Sequence, residues 1–411
     1  MQAFKAFLAV VIILLINTSP LMDDSQPAKA TYNYKLNMQL VNHGVEEYPL
    51  DNLHVLTIFP NTTLQKAYLV KAYFSTDNLS SSEYTLTIDE EGNTVLHFVK
   101  LPKGLRPASS LNLSLEYTLK VMEKKIDINE LSKGVVSDVP SELKSYFTAK
   151  TGIWDTDDVK LRELAMNLAK GETRVLPILL SFIEWMELNI RYPLYPEADE
   201  RHIAWYPNQT YEEKEGDCDD LGNLLITLLR IRGIPAYLQI GVIYYKGSTS
   251  IRLFNGSYVR DSINAAWHGW VMVYVPPVGW VPVDLTYFSG LRVTPTNGGR
   301  FQYIRSENLT DHIIGAAAAS SRALLYVNVT KKDYMTENLR LKEDLKRYNL
   351  TLIIREELRE VIELKPVSVG FKPTLTGLVI ATLLLTITLI ATYAYLRRRA
   401  RRISWTYIPV K

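Results

Sequence analysis

One cysteine in 411 residues rules out an internal disulfide, so whatever holds this chain together is not covalent cross-linking. There is no CxxC and no HExxH pattern among the six histidines, and neither points to a zinc site. No glycine-rich phosphate loop is present, so no nucleotide cofactor is implied. Asp155, Asp157 and Asp158 lack the twelve-residue calcium-loop pattern and read as helix capping. With 46 basic against 44 acidic residues and a net charge of +2, there is no basic surplus of the kind that marks a nucleic-acid partner. Internal repeats and low-complexity tracts are missing as well.

Two long apolar runs are present. Residues 6–16 follow Lys5 without a charge, and Ala28-Lys29-Ala30 offers a small-x-small cleavage site, the pattern of an export signal over 1–30. Residues 375–396 are uncharged for 22 positions, enough to cross a bilayer. RRRARR follows at 397–402, which places that end in the cytoplasm by the positive-inside rule. The expectation is a single-pass cell-membrane protein whose ectodomain faces outward above a basic tail, 397–411. Sequons at Asn61, Asn78, Asn112, Asn208, Asn255, Asn308, Asn328 and Asn349 exceed the roughly three expected by chance and suit a glycosylated surface protein. An exported domain of this size without paired cysteines suggests an archaeal-type surface protein.

Between the two runs the periodicity changes. Residues 31–125 hold short alternating strands punctuated by His43-Gly44, Pro60-Asn61, Glu91-Gly92-Asn93 and Pro102-Lys103-Gly104, the pattern of an antiparallel β-sandwich. From 126 to 300 helices come first, among them RVLPILLSFIEWMELNIRY, and then strands at AYLQIGVIYY, WHGWVMVYV and WVPVDLTYF. Residues 193–215 read as a loop. Residues 301–374 read as mixed, with a charged helix near 332–347, a strand at LTLII, and GAAAASS (315–321) as a buried small-residue strand.

The lone cysteine opens a helix. After Cys218, Leu221, Leu224, Leu225, Leu228 and Leu229 form an apolar stripe, and Gly233-Ile234-Pro235 ends it. A thiol at a helix amino terminus gains from the dipole, and the free amides there can hold an oxyanion. Asp217, Asp219 and Asp220 oppose ionisation, so the chemistry needs a histidine. His43, His54 and His97 fall in the β-rich part, His202 in the loop, and His312 beyond the core strands; His268 opens the strand HGWVMVYV. If the turn at residues 276–278 is three residues long, Val275 faces Gly279, and Asp284 lies diagonal to His268 on the same face. Cys218 as nucleophile, His268 as base and acid, and Asp284 as orienter then form a triad. Zinc ligation by the same three residues is the weaker reading.

GDCDDLGNLLITLLRIRGIPA, AWHGW and GWVPVDLTY together resemble the three blocks of the transglutaminase-like superfamily, in the family order Cys–His–Asp. The resemblance covers roughly 31–290 and implies an α+β, papain-like core in which a cysteine helix packs on an antiparallel sheet. It carries the catalytic triad onto Cys218, His268 and Asp284, with no cofactor and no metal. The oxyanion hole would include the Cys218 amide, with a second donor at Trp205 or Tyr206. Gly222 and Gly269 stand where the family has other small residues. The expected activity is amide-bond chemistry on a protein or peptide substrate at the cell surface, a peptidase before a cross-linking acyltransferase. The alternative is a catalytically silent binding or scaffold module of the cell envelope.

Overall fold

The computed structural model describes residues 29–50, 56–192, 204–286, 294–295, 301–302 and 308–361. The export signal, the span at 375–396, the basic tail, His54 and His202 lie outside these residues. Among the described residues, no helix is long and apolar enough to cross a membrane.

Strict alternation makes the long strands. In Ser110–Val121 every second residue from Leu111 onward is buried, so one face of the strand enters a core. The strands used below are β1 (Ala30–Asn42), β2 (Leu56–Thr57), β3 (Gln65–Ser75), β4 (Tyr84–Ile88), β5 (Thr94–Phe98), β6 (Ser110–Val121), β7 (Ala236–Leu253), β8 (Tyr258–Val275), β9 (Gly279–Val283), β10 (Ala323–Val329) and β11 (Leu350–Glu360). One large sheet runs in the order β10-β7-β8-β11-β1-β6-β3, with β9 added beside β8. The strands β2, β5 and β4 form a second, three-stranded sheet. Its Leu96 and Phe98 share a core with Leu111, Leu113 and Tyr117 of β6.

The amino-terminal strands are thus layered, but their larger layer does not stop near residue 125. β1 pairs antiparallel with β11 from Tyr32–Glu360 to Asn42–Leu350, and β11 pairs parallel with β8 from Tyr258–Leu352 to Ile263–Glu357. A strand from near the end of the described chain therefore welds the two halves into one sheet. No local pattern announces such a pairing, because alternation shows which face is buried and not which strand is the neighbour.

The helices used below are α1 (Ser141–Phe147), α2 (Val159–Leu168), α3 (Val175–Asn189), α4 (Pro207–Glu213), α5 (Cys218–Ile231), α6 (Asp311–Ala318) and α7 (Tyr334–Arg347). In α5 every residue from Asp220 to Arg230 is buried, so it is a central helix enclosed on all sides. It lies on Leu238 of β7 and Val271 of β8, and Gly233 ends it with φ +72°. Two expectations are corrected. The 193–215 stretch contains α4, which starts on a proline that suits the first helical position. GAAAASS is helical and not a strand, belonging to α6 and the 3-10 turn Ala319–Arg322. Alanine is the strongest helix former, and Ile313, Ala316 and Ala317 recur at helical spacing on the buried side.

Candidate active site

Cys218 is the first residue of α5, half-buried, behind an extended Asp217 with φ −92° and ψ −158°. His268 lies on β8 and Asp284 one residue past β9; both are buried. The turn between the strands spans residues 276–278, pairing Val275 with Gly279 and Val271 with Val283. That register puts both side chains on one sheet face, and His268 Nε2 meets Asp284 Oδ2 at 2.7 Å. The other carboxylate oxygen, Oδ1, accepts from the Thr286 backbone N–H at 2.8 Å and the Thr286 hydroxyl at 3.2 Å. Thr286 thereby fixes the carboxylate plane.

The helix start is pressed against β8. A Cβ placed on Gly269 would stand 3.3 Å from Asp219 Cβ, and one on Gly222 3.1 Å from Leu238 Cδ1. Gly269, the residue beside His268, meets the first turn of α5, and Gly222 packs that helix onto Leu238 of β7 and Val271 of β8. The Gly269 backbone N–H reaches the thiol and favours its ionised form. The net effect on Cys218 is the reverse. Burial, then the Asp217 and Asp219 carboxylates, push the thiol well above its ordinary value, so the resting nucleophile is protonated.

The three aspartates form a tight acidic group. Asp220 Oδ1 accepts from the Trp205 N–H at 2.6 Å, and Oδ2 from the Asp217 N–H at 3.1 Å. Burial, then Asp219, raises its carboxyl to about 7 despite those bonds. Asp217 is pushed well up by burial, by the charge of Asp219 and by a hydrogen bond with it, and its buried Oδ1 has no partner. Among the described residues, the ligand atoms that lie within 4.8 Å of one another belong to Asp217, Cys218 and Asp219. That set differs from the Cys218–His268–Asp284 set considered for zinc. The Trp205 backbone N–H donates to Asp220 Oδ1 and the Tyr206 backbone N–H to Gln209 Oε1, while the Tyr206 hydroxyl donates to Asp333 Oδ2 at 2.8 Å.

Composition and spacing gave no sign of the layer behind Asp284. The Asp284 N–H donates to the His312 carbonyl at 2.9 Å, and His312 Nδ1 returns to the Asp284 carbonyl at 2.9 Å. His312 Nε2 meets Glu187 Oε1 of α3 at 2.5 Å in a fully enclosed site. Both ring nitrogens face acceptor oxygens, so the ring carries both protons or Glu187 carries one. Of the sequons, Asn61, Asn78, Asn208, Asn255, Asn308 and Asn349 are exposed. Asn112 and Asn328 are half-buried, and Asn328 Oδ1 accepts from Gln239 Nε2 at 2.8 Å.

A thiol at a helix start, reached by the Gly269 N–H, and next to that glycine an imidazole bonded to an orienting carboxylate, in a mixed α+β fold with a curled sheet, define a cysteine-type site on a transglutaminase-like fold. Residues 162–285 match the model of the transglutaminase-like superfamily core, a span that includes Cys218, His268 and Asp284, so the chain carries a domain of that superfamily. An uncharacterized protein of Bacillus subtilis, YebA, is 35% identical over 96 residues, a stretch that makes up 22% of this chain and 12% of that relative. Among solved structures, a candidate cysteine protease from Cytophaga hutchinsonii aligns over 82% of this chain and 92% of its own, with 15% identity and a TM-score of 0.49. The periplasmic domain of TgpA from Pseudomonas aeruginosa aligns over 67% and 91%, with 14% identity and a TM-score of 0.27.

Proposed function

We propose that the chain is a cysteine-dependent enzyme that cleaves amide bonds of peptides or proteins through a thioester, with hydrolysis preferred to cross-linking. The observation that carries this reading is the 2.7 Å bond between His268 Nε2 and Asp284 Oδ2 beside the amino terminus of the cysteine helix. With Nε2 engaged by the carboxylate, Nδ1 is the nitrogen that exchanges protons with the thiol. Because the resting thiol is protonated, proton transfer to His268 accompanies attack and does not precede it. Sγ adds to the carbonyl carbon, and the Cys218 backbone N–H receives the developing oxyanion. His268 returns the proton to the leaving amine. It then deprotonates water, which breaks the thioester and releases the acid.

The reading places this chemistry outside the cell, on an ectodomain released from an export signal at 1–30 and anchored by residues 375–396, in an archaeal-type surface protein. The relatives named above are bacterial. The experiment is acyl-enzyme formation with p-nitrophenyl acetate, read as acetylation of Cys218 by intact mass. Acetylation that vanishes in Cys218→Ser and slows by roughly a hundredfold or more in His268→Ala supports the enzyme. Equal rates in wild type and His268→Ala would sink it. The silent binding module, favoured by the raised thiol, would then lead.

A further inference from the structure

β9 pairs with β8 as far as Val271–Val283, and the ladder stops one residue short of Asp284. The orienting carboxylate therefore hangs on a residue that the pairing of β8 with β9 does not hold. His312 of α6 holds its backbone on both sides of the Cα. The His312 carbonyl accepts the Asp284 N–H at 2.9 Å, and His312 Nδ1 meets the Asp284 carbonyl at 2.9 Å. Two bonds from one residue fix where the Asp284 Cα sits and where its side chain points. The Thr286 bonds to Oδ1 come from two residues along the same segment. They set the carboxylate plane without tying that segment to another element.

Proton accounting fixes the His312 ring. A carbonyl only accepts, so Nδ1 carries a proton. Nε2 then faces Glu187 Oε1 at 2.5 Å with one proton between them, and a flipped ring would give up both bonds. Glu187 is carried by α3, whose Phe182, Ile183 and Met186 are buried, while Ile313, Ala316 and Ala317 bury α6. Two packed helices thus place one imidazole. Taking a carboxylate and an imidazole out of water is expensive, and an apolar pair of similar volume often stabilises a fold at least as well. What an apolar pair lacks is a donor for the Asp284 carbonyl.

We infer that His312 and Glu187 are positioning residues for the candidate base: they set the backbone of Asp284, and through its carboxylate the direction of the His268 ring. The inference rests on the amide-bond reading above and extends that site by one residue from α6 and one from α3. The His268–Asp284 bond is 2.7 Å long. A displacement of Asp284 by ~1 Å would carry it beyond hydrogen-bond length, and misplacements of that size cost about a hundredfold in rate.

The test compares His312→Asn with His312→Gln, each in the full chain carrying Glu187→Gln so that no buried carboxylate is left unpaired. Asparagine Nδ2 falls near the place of histidine Nδ1, and glutamine Nε2 near that of histidine Nε2. The first variant keeps a donor to the Asp284 carbonyl and drops the contact with position 187; the second does the opposite. Two quantities are read: the maximal rate of Cys218 acetylation by p-nitrophenyl acetate, and the far-downfield resonance of the proton between His268 Nε2 and Asp284. The resonance is observed with nitrogen-15 histidine and assigned by its loss in His268→Ala. The glutamine variant should lose the resonance and acetylate about tenfold to a hundredfold more slowly at an unchanged half-saturating probe concentration, whereas the asparagine variant keeps both to within about threefold. Variants that behave alike would overturn the inference, since the bond to Asp284 would then not matter. Should both unfold in a thermal melt, Glu187→Leu against Glu187→Gln decides. Leucine leaves Nε2 without a partner and frees the ring, whereas glutamine donates to it; a resonance lost in the first and kept in the second supports positioning, and equal behaviour overturns it. The resonance needs no turnover. Its selective loss in a wild-type background that never acetylates Cys218 would remove the catalytic reading and leave the positioning of Asp284 standing. Acetylation that depends on His268, with the paired variants alike, would do the reverse.

Discussion

The Tyr334 hydroxyl donates to Asp219 Oδ2 at 2.9 Å and accepts from Asn223 Nδ2 at 2.7 Å, so a tyrosine opening α7 holds the residue that follows the lone cysteine. Burial, then the charge of Asp219, pushes the phenol well above its ordinary value and keeps it a donor. Tyr334→Phe removes both bonds at once. The expected loss of stability is about 1–3 kcal/mol, measured by urea unfolding, with slower acetylation of Cys218 as the first turn of α5 loosens. An unchanged unfolding midpoint would show that Asp219 finds water instead.

Asp284→Asn keeps the size of the side chain but replaces the acceptor that fixes the His268 tautomer. Acylation of Cys218 should fall by roughly a hundredfold to ten-thousandfold, while the melting temperature moves little. The check is the burst rate with p-nitrophenyl acetate alongside a thermal melt.

Asp217→Asn removes the carboxylate that, after burial itself, contributes most to holding the thiol protonated. The pH midpoint of Cys218 alkylation by iodoacetamide should drop by about one unit. The same variant tests stability against pH. Asp217 and Asp220 both have folded values raised above the ordinary 3.8, Asp220 to about 7. The fold favours their protonated forms, so this stabilisation is complete in acid and is lost as the pH rises through those raised values. Between about pH 5 and pH 8, the melting temperature of the wild type should fall more than that of Asp217→Asn.

Gly269→Ala puts a methyl group 3.3 Å from Asp219 Cβ, and one of the two elements must give way. Because α5 is enclosed on all sides, the strain falls on its first turn. The expected cost is about 1–2 kcal/mol in stability, with a disproportionate loss of acylation rate. Gly222→Ala meets the flexible end of Leu238 and gains helix propensity, so its stability should stay within about 1 kcal/mol of wild type. Denaturant midpoints for the two variants, compared with their burst rates, separate the effects.

His312→Leu takes the imidazole away from the buried Glu187 carboxylate and removes the ring's bond to the Asp284 carbonyl. A loss of about 3–5 kcal/mol is expected, and Glu187→Leu combined with His312→Leu should recover part of it. Additive losses in the double variant would mean that the two side chains do not act as a pair.

Much of this was legible in the chain itself. The position of Cys218 followed from the leucine spacing behind it and the Gly-Ile-Pro stop after it, because helix period and termination are local properties. The His268–Asp284 relation needed one more step: a three-residue turn forces the two onto the same face, and the structure has that turn. GAAAASS was misread because a short run of small residues has no amphipathic contrast, and only burial on one side tells a helix from a strand. The His312–Glu187 pair was hidden for a different reason. Its members stand 125 positions apart, and each looks ordinary alone.

The sequence by itself determined the elements, the candidate nucleophile and the set of residues that could serve it, since these depend on periodicity and on side-chain chemistry. The tertiary structure alone decided what those residues experience. It buried the thiol in a low-dielectric interior, and that burial, with the carboxylates that flank Cys218 in the chain and Asp284 brought from the end of β9, outweighs the helix start. It also inserted β11 between β1 and β8. Electrostatic environment and strand neighbours are sums over long-range contacts, and no local window of the sequence contains them.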